Sequence, residues 1–154
     1  MERTLVLVKP DGVQRGLIGE IIGRFEKKGL KLIGLKMVSL DDAILDSHYA
    51  HLSNKPFFVD IKDFMKSSPI VAMAWDGGKG TVSAVRILVG PTKGQEAPAG
   101  TIRGDFGLSG SNNIVHASDS VENGNAEVGR FFLGEELFDY EKTVTAHIYA
   151  KDER

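Results

Sequence analysis

The sequence predicts an α+β domain, with strands and helices interspersed along one chain. Three observations carry that reading. Apolar runs of strand length, such as TLVLVKP at 4–10 and PIVAMAW at 69–75, alternate with segments whose apolar residues recur at helical spacing. Turn and cap residues punctuate these segments. No internal repeat, low-complexity tract or linker divides the chain, so the span 1–154 reads as one domain.

Along the chain, Thr4 to Pro10 is a strand by alternation and β-branching, ended by the turn cluster Pro10, Asp11 and Gly12, which leaves Lys9 at a strand exit. In GLIGEIIGRFEKKG, residues 16–29, the apolar positions Leu17, Ile18, Ile21, Ile22 and Phe25 share one helical face. Glu20 and Arg24 are an i,i+4 pair there, and Gly29 supplies the stop. LKLIGLKMVSL, residues 30–40, alternates as a second strand. DDAILDSHYAHL, residues 41–52, places Ile44, Leu45, His48, Tyr49 and Leu52 on one helical stripe, capped by Asp41 or Asp42. After Pro56, FFVDIKDFMK repeats that pattern with Phe57, Phe58, Ile61, Phe64 and Met65. PIVAMAW suits a central strand, and TVSAVRILVG, residues 81–90, a helix carrying Arg86 near its end.

From Gly90 to Ser111 the periodicity is lost, apart from a short turn of helix expected at GTIRGDF. Nine of the 18 glycines fall between Gly77 and Gly110, where they either make the segment flexible or let backbone N–H groups approach an anion. Long loops of this kind commonly serve function. NIVHAS, residues 113–118, then reads as a short strand, and DSVENGNAEVGRFF, residues 119–132, as a helix opened by Asp119 or Ser120.

Composition narrows the function classes. Apolar residues at 42% and charged residues at 26% are those of an ordinary globular chain. With 19 Lys and Arg against 21 Asp and Glu, the formal charge of -2 gives no footprint for nucleic acid or an anionic membrane. An anion must therefore be held by local residues. There is no cysteine and no glycosylation sequon, and the apolar run near the N-terminus is too short for a signal segment or a membrane span. A cytoplasmic chain is expected.

Two familiar phosphate motifs fail. DGGKGTV lacks the spacing of a Walker A loop, and no G-x-G-x-x-G opens a helix. His48 and His51 stand at i,i+3, yet no third ligand or cysteine accompanies them, so packing or surface roles suit them better and no protein-held metal is expected. His116 is placed differently. Histidines on strands are commonly packed core residues, but His116 lies at a strand end before a helix, where sites are commonly built. Imidazole is a competent nucleophile near neutral pH. Glu127, eleven residues on, is placed to accept from one ring nitrogen and leave the other to attack. Lys9, Arg86, Thr92 and Arg103 suit phosphoryl oxygens, the arginines with bidentate geometry. Each alone reads better as a solvated surface group; only their convergence, which a sequence does not show, would make a polyphosphate site served by a histidine.

KPDGVQRGLIGEII (9–22), HYAHLSNKPFF (48–58), GTIRGDF (100–106) and NIVHASDS (113–120) stand in the order and spacing of the nucleoside diphosphate kinase family, and the resemblance covers essentially the whole chain. It implies a ferredoxin-like sandwich, a four-stranded antiparallel sheet with packed helices. It also implies ping-pong transfer of the γ-phosphoryl from a nucleoside triphosphate, through a phosphohistidine on His116, to a nucleoside diphosphate. By family pattern Lys9 and Arg86 bind phosphates and Thr92 and Arg103 complete the clamp. Asn113 with Lys9 reaches the ribose 3′-hydroxyl, and Phe57 resembles a base-stacking residue. Tyr49 and Ser118 resemble the residues lining the nucleophile, with Glu127 orienting it. The resemblance further implies Mg²⁺ riding on the phosphates of ATP and other nucleotides, and a homo-oligomer, hexamer or tetramer. Pro91 and Lys93 depart from the commoner family loop, and Ala117 stands where many relatives have glycine. The alternative is a nucleotide- or RNA-binding module of the same fold without turnover.

Overall fold

The structure, a computed structural model, describes residues 2–153; Met1 and Arg154, the ends of the span read as one domain, lie outside it. Four strands, β1 (Arg3–Val8), β2 (Lys31–Val38), β3 (Ile70–Asp76) and β4 (Val115–Ala117), form one sheet in the order β2-β3-β1-β4. Every neighbouring pair is antiparallel. This is the expected ferredoxin-like arrangement.

The strand sequences show why the sheet is buried on both sides. In β1, Val6 and Val8 enter one core cluster and Leu5 and Leu7 the other. In β3, Val71, Met73 and Trp75 face the first while Ile70, Ala72 and Ala74 face the second. A strand with no polar face needs cover on both sides. One layer contains α2 (Ile18–Lys28) and α5 (Thr81–Val89); the other contains α3 (Asp42–His48), α4 (Phe58–Lys66) and α7 (Val121–Phe131). Each fully buried aliphatic side chain contributes about 1.5–3 kcal/mol. Both faces of the central strands β1 and β3 are thus occupied by core, which among the described residues leaves no open platform of aromatics on them for RNA bases.

N-caps agree with the sequence at two helices. Asp41 accepts from Ile44 N–H (2.9 Å) at the start of α3, and Ser120, not Asp119, accepts from Asn123 N–H (3.1 Å) at the start of α7. Thr101 caps α6 (Ile102–Phe106), the helical turn expected in the long loop. The supposed turn at Pro10–Gly12 is instead α1 (Pro10–Gln14): Pro10 is preorganised for a first helical turn and Asp11 complements its dipole. Beyond Phe132 the chain forms a further 3₁₀ turn at Gly134–Glu136 and α8 (Thr145–Ile148), for which the sequence pattern provides no expectation. This segment straps β2 through Phe138 N–H to Ile33 O (2.7 Å) and Tyr140 Oη to Leu32 O (2.9 Å). Among the described residues, no helix is long and apolar enough to cross a membrane.

Two close approaches position α7 and the long loop. Gly124 of α7 lies against the Arg3 carbonyl of β1, where any Cβ would collide, so the helix seats directly on the sheet and carries Glu127 one turn further beneath β4. In the long loop, a Cβ on Gly104 would strike the Pro98 carbonyl. Glycine there serves the packing of the loop on itself.

Candidate active site

β4 pairs with β1 in the register Leu7 to His116, so the imidazole shares Leu7's face of the sheet and points toward α3 and α7. There its Nε2 donates to Glu127 Oε2 at 2.9 Å. The same oxygen accepts from Ser118 Oγ at 2.6 Å, and Ser118, fully buried, is fixed in turn by the β1 backbone, accepting from Leu5 N–H at 3.1 Å. Burial alone would raise the Glu127 carboxyl, but the His116 hydrogen bond and charge and the Ser118 hydroxyl outweigh it and hold the group below the ordinary carboxylate range. A carboxylate that accepts from Nε2–H leaves the lone pair on Nδ1. The expected contact between His116 and Glu127 is therefore formed, and it leaves Nδ1 unprotonated.

His48, buried beneath the site, was missed as a neighbour of His116. Its ring lies edge-on to His116, with centroids 4.7 Å apart, and also contacts Tyr49 and Phe131. Burial and then the His116 imidazole push His48 down to about 3, so it stays neutral. His48, His116 and Glu127 offer ligand atoms within 4.8 Å of one another. Arg130 Nη1, however, donates to His48 Nδ1 (3.3 Å), which places the proton on Nε2 and leaves no lone pair for a metal. Asp119 Oδ1 accepts from Asn123 Nδ2 (2.6 Å).

Two adjoining cavities open from this floor. The polar one, about 580 Å³, is lined by His116, Glu127, Tyr49, Lys9, Arg86 and Arg103, among others. The second, about 460 Å³, shares Lys9, Tyr49, Thr92 and Asn113 and is lined also by Phe57, which is 46% exposed. All the sequence-predicted residues but Ser118 line one or both cavities, and Ser118 sits behind Glu127. Of the glycines at 77–110, Gly110 alone lines either of these two cavities, so the glycine cradle for an anion, one of the two readings of that segment, is not formed there. A still larger cavity, about 670 Å³, lies away from this chemistry under the C-terminal segment. Its Lys31 pairs with Asp139 at 3.0 Å, and its Lys142 bonds the Gly29 and Leu30 carbonyls.

The cations are held by neighbouring acceptors, Lys9 by a side-chain amide and the arginines by backbone carbonyls. Lys9 Nζ donates to Asn113 Oδ1 at 2.8 Å, and Asn113 Nδ2 bridges the carbonyls of Thr92 and Gly110, both at 2.9 Å. Burial and then Arg103 lower Lys9 to about 8, opposed by Asp11. Arg103 is itself buried and donates to three carbonyls, those of Asn113 (3.2 Å), Gly90 (3.1 Å) and Val115 (2.7 Å). Burial and then Arg86 push it down to about 10, still fully charged at neutrality. Arg86 Nη1 reaches Ala117 O at 3.4 Å. Between them stands Ile114, with φ at +74°, a conformation that costs a β-branched residue about 1–3 kcal/mol.

An imidazole with one nitrogen fixed by a carboxylate thus lines a cavity that lysine and arginine also line. Comparison with known proteins makes the assignment. Residues 2–137 match the family described as nucleoside diphosphate kinase. The chain is 55% identical over 153 residues to the nucleoside diphosphate kinase of Parabacteroides distasonis, covering 99% of each, and 50% identical over 149 residues to that of Archaeoglobus fulgidus, covering 97% and 98%. The structure of a nucleoside diphosphate kinase family protein from Babesia bovis superposes with a TM-score of 0.93 at 48% identity, over 97% of this chain and 100% of that one. A halophilic nucleoside diphosphate kinase from Halobacterium salinarum, in complex with CDP, gives 0.93 at 44%, over 97% and 99%. The chain belongs to the nucleoside diphosphate kinase family.

Proposed function

We propose that the enzyme exchanges γ-phosphoryl groups between nucleoside tri- and diphosphates through a phosphohistidine on His116 Nδ1. The observation that carries this is the His116 Nε2 to Glu127 bond, which leaves the Nδ1 lone pair on a ring that lines the cationic cavity. Nδ1 attacks the γ-phosphorus, the bond from that phosphorus to the β-phosphate oxygen breaks, and the diphosphate leaves. A second diphosphate then attacks the phosphohistidine, the N–P bond breaks, and the imidazole is regenerated. Glu127 and Ser118 hold the ring, Tyr49 lines the nucleophile, and Lys9, Arg86, Thr92 and Arg103 hold the phosphates. Asn113 with Lys9 meets the ribose 3′-hydroxyl. The nucleotide's own cation, Mg²⁺ in this reading, supplies charge neutralisation on the phosphate oxygens when bound.

The test is kinetic. Initial rates with ATP varied at several fixed dTDP concentrations give parallel lines in reciprocal form; intersecting lines would mean both nucleotides bound at once, against a covalent carrier. Phe57 in the lining of the second cavity supports base stacking, and the CDP bound to the Halobacterium salinarum relative supports a nucleotide there. Stacking is tolerant of base identity, so Phe57→Ala raises KM about 10-fold for purine and pyrimidine diphosphates alike. A loss confined to purines would mean that the ring reads the base.

The Lys9 ammonium is the phosphate-binding form. Activity that depends on it is complete at low pH and is lost as pH rises through about 8. We therefore expect kcat/KM, which reports the free enzyme, to fall above that pH, while bound phosphate sustains kcat to higher pH. A kcat/KM profile flat to strongly alkaline pH would remove Lys9 from the role.

The same reading takes the chain as one domain that works in the cytoplasm as a homo-oligomer, hexamer or tetramer. Assembly is supported by the outermost strand β2, which exposes Leu35 and Met37.

A further inference from the structure

Ile114 is the one non-glycine residue with positive φ among the described residues, and it is fully buried. Val115 N–H donates back to Asn113 O at 2.8 Å, closing a tight three-residue turn around it. Both polar groups of the strained residue are tied to the exit of β1 and the first turn of α1. Its N–H donates to Asp11 Oδ2 at 3.0 Å, and its carbonyl accepts from Lys9 N–H at 2.9 Å. Asp11 is the side chain in this arrangement, and it lines neither cavity of the active site. On one flank of the turn Asn113 holds the Lys9 ammonium; on the other, two residues on, stands His116. Backbone strain persists only where its surroundings enforce it, and it collects at sites whose geometry must be exact.

We propose that Asp11 is a positioning residue for phosphoryl transfer: by holding the strained turn at Ile114 it fixes Lys9, Asn113 and His116 relative to one another. The inference rests on the roles proposed for those three residues in nucleotide binding and phosphoryl exchange. Asp11 has a second effect through charge. Its Oδ1 is buried without a hydrogen-bond partner among the described atoms, and the carboxylate favours the charged form of Lys9 against burial and Arg103. The other titratable or charged groups lining the cavities that Lys9 shares are His48, Tyr49, His51, Asp60, Arg86, Asp119, Glu127, Arg130 and His116, and Asp11→Asn leaves all of them in place.

The test is a double-mutant cycle in the full-length enzyme with Asp11→Ala and Ile114→Gly, since glycine adopts the turn unstrained. Displacements near 1 Å at a reacting centre cost about 100-fold, so Asp11→Ala is expected to lower kcat/KM for dTDP by about 10-fold or more. In the Ile114→Gly background the same change is expected to cost about 3-fold or less, because the turn then needs no clamp. The second comparison decides the matter even if Asp11→Ala alone fails to fold. Equal losses in both backgrounds, or an Asp11→Ala enzyme as fast as the parent, would overturn the proposal. Asp11→Asn, which keeps an acceptor but loses the charge, is expected to move the alkaline limb of kcat/KM to lower pH; an unmoved limb would remove the charge effect. Failure of the parent enzyme to accept label from ATP would instead strike the phosphohistidine reading itself.

Discussion

Replacing His116 with alanine abolishes phosphoryl exchange, with kcat reduced at least about 10⁴-fold, while nucleotide still binds and the fold is retained. The expectation comes from what the substitution removes. In the proposed exchange Nδ1 is the carrier, whereas the cations of the cavity are held by groups other than the imidazole: Lys9 by Asn113, Arg103 by three carbonyls and Arg86 by Ala117 O. Glu127, deprived of His116, still accepts from Ser118. Transfer from ATP to dGDP, with ADP affinity measured by calorimetry on the same preparation, checks both halves. A His116→Ala enzyme that turns over at more than a trace rate contradicts the covalent route. One that binds no nucleotide contradicts the separation between carrier and clamp.

Arg103→Met carries the largest expected cost to stability. Its guanidinium serves the carbonyls of Gly90, Asn113 and Val115, which join the end of α5, the strained turn and β4. A buried group left without its partner costs about 1–3 kcal/mol, and methionine satisfies none of the three. A loss of about 3 kcal/mol or more is expected, which lowers Tm by roughly 10 °C for a chain of this size. Arg103→Lys falls between, since an ammonium lacks the planar fork that reaches several acceptors at once. Thermal unfolding followed by circular dichroism decides this. A methionine variant melting within about 2 °C of the parent would show that the carbonyls find other partners.

Arg103 also marks the boundary of what the sequence disclosed. Residue type and motif place it at a phosphate, and it does line the polar cavity, but its three backbone bonds depend on the return of residues 113–115 beside the loop. No local pattern carries that information. The strands were legible because β1 is apolar from Leu5 to Val8 and β3 from Ile70 to Trp75, and α2 because Ile21 and Phe25 recur on its buried face. α1 was not, being too short to show a period. The C-terminal segment was not, because it is held by bonds to carbonyls more than a hundred positions away. His116 and Glu127 were legible as a pair because a strand end followed by a helix brings residues eleven apart together. Ile114 is the reverse case: a β-branched residue argues for extended backbone, and only the structure shows it at +74°.

The most direct measurement of the central claim is incubation of the purified enzyme with γ-labelled ATP and Mg²⁺ alone, followed by acid and alkali treatment and addition of GDP or CDP to a parallel sample. The account predicts label on the protein that is acid-labile, alkali-stable, absent from His116→Ala and transferred to either diphosphate. Nucleotide bound without label, or label that no diphosphate removes, would contradict it.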